Sequence, residues 1–308
     1  MKISLPQGLS RCDDRSIKAK TNQTSGGPED WFTPEKLQHF GFKSFNFDFF
    51  VNWNTERFVR TLWFKRFIDI NVNEFIQTPN WQQLIKNSLI NFEGENQIKD
   101  LRIFCHKYNL KADFLIFNEE SWSDESLVIY ARLQENDVAI KVIRLDELKQ
   151  KISIGTGRPF NIGSKGLFYS TSRLECYLSK TDTPYPGDAD LLLTNADFNQ
   201  FILIEFKKHN MSGEISEQKL SNYYPRPDGA KYRRLDLLRQ YFPNTKLYTI
   251  YYTTDSRCMT KIELNSFNNK PLHEGETIIM PSPTDKLDQN DIMNYLSNCE
   301  EFFRETGF

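Results

Sequence analysis

Residues 186–209 put charge where a folding chain tolerates it least. The stretch opens Pro-Gly-Asp-Ala-Asp-Leu-Leu-Leu, crosses a polar break at 194–200, and resumes as Phe-Ile-Leu-Ile-Glu-Phe-Lys-Lys-His. Two apolar runs of strand length around a turn predict neighbouring β-strands. Side chains alternate between the faces of a strand, so Asp188 and Asp190 share one face of the first, and Glu205 and Lys207 share one face of the second. If the strands pair, these carboxylates and one ammonium converge at one end of a sheet. An unpaired buried charge loses its hydration, and a divalent cation is the simplest reason to gather such groups.

The rest of the chain narrows the setting. Its 308 residues, 39% of them hydrophobic, suffice for one large domain or two ordinary ones. No run approaches the roughly 20 apolar residues that span a bilayer, and the first residues lack the apolar segment of a signal peptide. The expectation is a soluble protein, without membrane contact, in the cytoplasm. Cys12, Cys105, Cys176, Cys258 and Cys299 are scattered, with no Cys-x-x-Cys pair and four histidines, so reduced thiols are expected in place of a zinc site or a disulfide framework. A net charge of −2 excludes a uniformly basic coat. From 271 on, eight carboxylates face only Lys286 and Arg304, which leaves the remainder net positive and able to form a local basic groove.

Taken in order, the first 30 or so residues are polar and read as a loose arm or surface loop. Residues 31–67 interleave aromatics with basic residues, a mixture that could stack bases and hold phosphates. The core reading is stronger, because Phe45, Phe47 and Phe49 alternate as one strand face, while Val59, Trp63 and Phe67 fall at helical spacing. A helix follows Thr78-Pro79, strands are expected at 112–117, 127–133 and 138–143, and a helix at 145–154. Val138-Ala-Ile-Lys141 matches a kinase strand, but the glycine loop, His-Arg-Asp and Asp-Phe-Gly that a kinase needs are missing, so Lys141 is a solvated strand residue. The glycine-rich segment 155–166 is neither a Walker loop nor a dinucleotide turn and reads as a connection between domains. Thr171-Ser172 caps a helix that carries Glu175, and 215–242 is mostly helical apart from the break at Pro225 and Pro227. The chain closes on an amphipathic acidic helix with Ile292, Tyr295, Leu296, Cys299 and Phe303 on one face.

The order helix, strand with Asp, strand with Glu-x-Lys, helix, strand resembles the PD-(D/E)xK, or restriction-endonuclease-like, nuclease superfamily. Pro186-Gly-Asp-Ala-Asp190 and Glu205-Phe-Lys207, with Asp190 and Glu205 fifteen positions apart, carry the resemblance, which covers about 166–253. It implies an α/β fold, a restriction-endonuclease-like mixed sheet flanked by helices, over 156–308; the strands and helices read in the first half make 1–155 a separate N-terminal α+β recognition or partner domain, α+β overall. It also implies catalysis by Asp190, Glu205 and Lys207. The metal ligands would be Asp190, Glu205 and the main-chain carbonyl of Phe206, with Mg²⁺ as cofactor and Mn²⁺ as its substitute. Glu175 matches an additional acidic position of the family, and Asp188 competes with Asp190, which fits better the pattern of Asp followed by an apolar run. The family core has a further strand before the Asp-bearing one. Residues 179–186 are too short and polar for it, and 166–170 are the candidate. Lys208, Lys219, Arg226, Lys231, Arg233 and Arg234 are the expected nucleic-acid contacts. The activity implied is an endodeoxyribonuclease of restriction or genome defence, with DNA as partner and a homodimer to cut two strands. A non-catalytic nucleic-acid-binding protein, or an RNA-directed or exonucleolytic member, is the alternative.

Overall fold

The computed structural model describes residues 1–6, 8–19, 31–33, 37, 41–157, 166–209, 213–266 and 272–282. The chain divides into two units, the first formed by Met1–Lys20 and Asp48–Gly187, the second by Thr21–Phe47 and Asp188–Phe308. The expected boundary at 155 falls inside the first unit. Residues 48–187 leave the second unit part-way along one strand and return to it at the next Asp-bearing one, which is why no linker-like composition marks the division.

In chain order, β1 (Ile3–Ser4) and β2 (Ser10–Arg11) precede the long strands β3 (Phe42–Asn52) and β4 (Arg57–Ile68). Phe45, Phe47 and Phe49 are all buried, as their alternation predicts. Val59, Trp63 and Phe67 lie on β4, not on a helix. A spacing of four residues returns to the same side of a strand as readily as to the same side of a helix, so it does not discriminate between them. Short helix α1 (Val72–Phe75) leads to α2 (Trp81–Glu93) and α3 (Glu95–Lys107), which are separated at Gly94, where φ is +85°. These helices form the crossover that lets β5 (Lys111–Phe117) lie parallel to β4. Strands β6 (Leu127–Leu133) and β7 (Val138–Arg144) then form an antiparallel hairpin, and α4 (Leu145–Thr156) follows at once. Lys141 is exposed on β7.

The described residues of the N-terminal arm, 1–6 and 8–19, include two short strands. β1 pairs antiparallel with the end of β4, and β2 pairs with β8 (Tyr169–Ser170). Cys12 and Cys176 are joined in a disulfide, which corrects the expectation of reduced thiols throughout; Cys105 is buried and free. Disulfides are rare in reducing compartments, so this pairing and the cytoplasmic expectation pull in opposite directions. No helix among the described residues is long and apolar enough to cross a membrane. Helix α5 (Arg173–Leu178) begins at Ser172, whose side chain accepts from the Glu175 amide.

The second unit is a mostly antiparallel sheet in which one strand pair is parallel. β9 (Gly187–Asn195) and β10 (Phe201–His209) are the two strands foreseen, with Leu203 opposite Leu192 and Ile204 opposite Leu191. Two single 3-10 turns, Ile215–Glu217 and Leu220–Asn222, and one helix, α6 (Gly229–Arg239), replace the longer helical stretch expected at 215–242. β11 (Lys246–Thr253) lies parallel to β10, and β12 (Met259–Ser266) and β13 (His273–Pro281) continue antiparallel. On its other side β9 neighbours β3. The neighbour of β9 thus comes from far upstream, while 169–170, within the segment considered for a strand beside it, form β8 and pair with β2. Leu191, Leu193, Ile202, Ile204, Tyr248 and Ile250 form one apolar face, packed with Trp31, Phe32 and Leu37. The acidic C-terminal helix, all of Lys20–Asp30 and most of the glycine-rich connection lie outside the described residues.

β12 buries a second carboxylate. Glu263 lies 3.8 Å from Lys261, accepts from the Tyr251 hydroxyl at 3.3 Å, and leaves Oε2 without a hydrogen bond. Burial, opposed by Lys261 and reinforced by Glu274, pushes its carboxyl up to about 7. The folded chain thus keeps a proton that the unfolded chain releases near 4.5, so ionisation of Glu263 removes stability as pH rises between those values, by about 3 kcal/mol. Glu263→Gln is expected to unfold at a higher temperature than wild type at about pH 8 and at a similar one near pH 4. Thermal melts across that range check this, and parallel pH profiles for the two proteins would refute it.

Candidate metal centre

Opposite the apolar face of the second unit, the sheet carries its charges. The β9–β10 ladder ends at Ile204 and Leu191. Beyond that point a side chain replaces the backbone acceptor, since the Phe206 amide donates to Asp190 Oδ2 at 2.9 Å. Asp190 is fixed by this bond beside Glu205. On the other side of β10, Glu205 stands opposite Thr249 and Lys207 opposite Tyr251.

Glu205 is the most buried of the group, with 1% of its side chain exposed. Its Oε1 lies 3.0 Å from the Lys207 ammonium and 2.7 Å from that of Lys231. Neither contact has hydrogen-bond geometry, and Oε2 has no hydrogen-bond partner. Lys231 also lies 3.1 Å from Asp188 Oδ2 and 3.7 Å from Asp190 Oδ1, so its ammonium stands where three carboxylates converge. Lys207 turns toward Asp228 Oδ2 at 2.5 Å, and its ammonium lies 4.8 Å from the centre of the Tyr223 ring.

Helix α6 gives up local stability to supply these groups. Asp228 occupies the N-cap position but makes no capping bond with its side chain, because its carboxylate is engaged by Lys207. The first turn holds Lys231 and no acidic residue, the reverse of what the helix dipole favours. Tyr232, next along the helix, is buried, with its hydroxyl 3.4 Å from that of Thr249.

The electrostatics follow from burial and crowding. Loss of hydration, then the neighbouring Glu205 carboxylate, raise the Asp190 carboxyl well above the usual range, against the pull of Lys231. Desolvation pushes Asp188 the same way, but Lys231 more than offsets it and its carboxyl stands below the ordinary value. Burial works to strip the proton from Lys207 and from Lys231. Glu205 holds it on the first, and Asp190 followed by Glu205 on the second, so both titrate above an ordinary lysine.

The structure thus brings together Asp188, Asp190, Glu205 and Lys207. Glu175 is not one of this group: it lies in the first unit, where Lys65, Ser170 and Thr171 engage its carboxylate and hold it below its usual value despite burial. Of the expected nucleic-acid contacts, Lys231 belongs to the cluster itself, Lys219, Arg226 and Arg233 are exposed, and Lys208 and Arg234 are half-buried. Asp228, Tyr223 and Tyr232 escaped the sequence reading. An Asp before a helix is read first as a cap, and nothing local says that a lysine on a distant strand will claim it.

Among the described residues, no group of three or more Asp, Glu, His or Cys side chains is arranged to hold a metal ion as it stands. The donor chemistry nonetheless fits one. Three carboxylates offer hard oxygens around the Lys231 ammonium, and buried Glu205 Oε2 has an acceptor capacity that no described residue uses. Phe206, whose carbonyl the resemblance implies as a ligand, sits between Glu205 and Lys207 on the same strand.

Glu205→Gln is expected to bring Asp190 down toward the ordinary carboxylate range, since it removes the adjacent negative charge. A carbon-13 carboxyl titration by NMR reads this directly, and an unmoved Asp190 midpoint would show that burial alone sets it. No protein-family model matches the chain, nor does any curated protein or solved structure, so the carboxylate and lysine geometry carries the functional argument.

Proposed function

We propose that the chain is a Mg²⁺-dependent nuclease of the PD-(D/E)xK kind, hydrolysing phosphodiester bonds of DNA. The observation that carries this reading is the buried Glu205, with an unused oxygen beside Asp190 and Asp188 and with Lys207 in contact. The order of elements supports it as well. Within the second unit, the β3 segment up to Phe47, the Asp-bearing β9, the Glu-x-Lys strand β10, helix α6 and the parallel strand β11 follow in that order, while the helix that opens the resemblance, α5 with Glu175, lies in the first unit.

Asp190 and Glu205, with Asp188 or the Phe206 carbonyl, would hold the ion. When bound, Mg²⁺ would polarise the phosphate and lower the cost of activating water. The protein's own groups do the rest. Asp190 is fixed by the Phe206 amide at Oδ2, which leaves Oδ1 3.7 Å from the Lys231 ammonium. Lys207 keeps its proton, and an ammonium in that state suits the offset of charge building on phosphate oxygens better than removal of a proton from water. Asp228 and the Tyr223 ring hold the ammonium in place. The restriction or genome-defence role and the homodimer come from the resemblance alone.

A second reading has its own observation. Lys231 already neutralises the converging carboxylates, as a binding protein that retains the fold without catalysis would require. Plasmid cleavage separates the two. Wild-type protein with Mg²⁺ is expected to nick or linearise DNA, EDTA to stop it, and Glu205→Ala and Lys207→Ala each to lose at least about 10²-fold in rate. A folded wild-type protein that cuts no DNA or RNA with Mg²⁺ or Mn²⁺ would sink the enzyme. Normal cutting by Asp190→Ala with a dead Asp188→Ala would exchange only the first ligand.

A further inference from the structure

Lys231 is held differently from Lys207. Lys207 is fixed between Glu205, Asp228 and the Tyr223 ring, whereas among the described residues the ion pairs of Lys231 are to carboxylates of the converging set. Those three acceptors also differ in depth. Glu205 is 1% exposed, Asp190 21% and Asp188 56%, so they form a path from the buried end of the site to solvent. The lysine, 23% exposed, lies in the first turn of α6 on a long flexible stem whose ammonium reaches all three carboxylates. A divalent ion and this ammonium cannot use the same oxygens together, because like charges at contact distance in a poorly hydrated site repel.

We propose that Lys231 is a built-in counter-cation that neutralises Asp188, Asp190 and Glu205 until a divalent ion enters, and then moves outward past Asp188 to bind a phosphate of the nucleic acid. The proposal rests on the reading of these carboxylates as a metal centre. It adds an order of events. Metal entry frees the cation that the substrate needs, so metal and nucleic acid strengthen each other's binding, as reciprocal linkage demands. It also gives the buried carboxylates a partner in the ion-free protein, where unpaired charge would otherwise open the sheet end.

Mn²⁺ titration by calorimetry on the full chain tests it, with wild type, Lys231→Met and Lys231→Arg, and with folding checked by circular dichroism. Lys231→Met removes the competitor and is expected to bind Mn²⁺ on the order of tenfold more tightly than wild type, whereas Lys231→Arg stays near wild type. With Ca²⁺ in place of Mg²⁺, the wild-type affinity for a DNA duplex is expected to rise on adding the ion, and Lys231→Met to lose most of that rise. If Lys231→Met does not fold, Lys231→Gln takes its place. Equal or weaker Mn²⁺ binding by the neutral variant overturns the displacement while leaving the metal centre intact. Absence of Mn²⁺ binding in both wild type and the neutral variant overturns the metal centre as well.

Discussion

Glu205 sets the terms for everything around it. A carboxylate with almost no exposure persists only where cations or donors replace its water, and here two lysines share one oxygen while the other has no donor. Each lysine brings a further requirement. Lys207 needs Asp228, which takes the cap away from α6, and Lys231 must sit in that helix's first turn, where a positive charge is unfavourable. The Tyr223 and Tyr232 rings then pack around Lys207. One buried charge thus propagates into a weakened helix start, and a local rule broken in this manner is typical of a site shaped by function in place of stability.

The sheet explains why the charges gather there. β10 and β11 run parallel, so a crossover must leave the carboxyl end of β10, and α6 is the helix of that crossover. Its first turn therefore returns over the strand end that carries Glu205 and Lys207. Open α/β sheets present ligands at the carboxyl ends of their strands for the same geometric reason. β9 pairs with β10 from Leu191, one residue after Asp190, which leaves the Phe206 amide to the Asp190 side chain.

Period-two alternation was enough to place β9 and β10 and to assign Asp188, Asp190, Glu205 and Lys207 to their faces, because strand geometry is local. The neighbour of β9 was hidden, since β3 lies far upstream, beyond residues 48–187. The Cys12–Cys176 bond was hidden for the same reason: it joins positions 164 apart, and spacing says nothing about such pairs. Lys231 was seen, but as one basic residue among several on a helix. Its distinguishing property is the set of carboxylates that two other elements bring to it, and that is a property of the fold. Glu175 shows the converse: an acid in an apt position along the sequence belongs to a different unit, with Lys65 as its own partner.

Charge type alone does not make such a centre, as the neighbouring strand shows. Across β10, β11 and β12 the register aligns Glu205, Thr249 and Glu263 in one row and Lys207, Tyr251 and Lys261 in the next. The outer pair repeats the chemistry of the inner one, including a carboxylate oxygen with no donor. What differs is the surroundings. Lys261 donates to the carbonyls of Ser216 and Gln218 and stands 3.8 Å from Glu263, so burial prevails and the acid holds its proton to about pH 7. Around Glu205 there are two ammonium groups and two further carboxylates within reach of one of them. A protonated carboxyl is a poor ligand for a hard cation, so the proton that burial keeps on Glu263 sets β12 against metal binding. The same pair of residue types thus stands beside backbone carbonyls on β12 and amid a second lysine and two further carboxylates on β10.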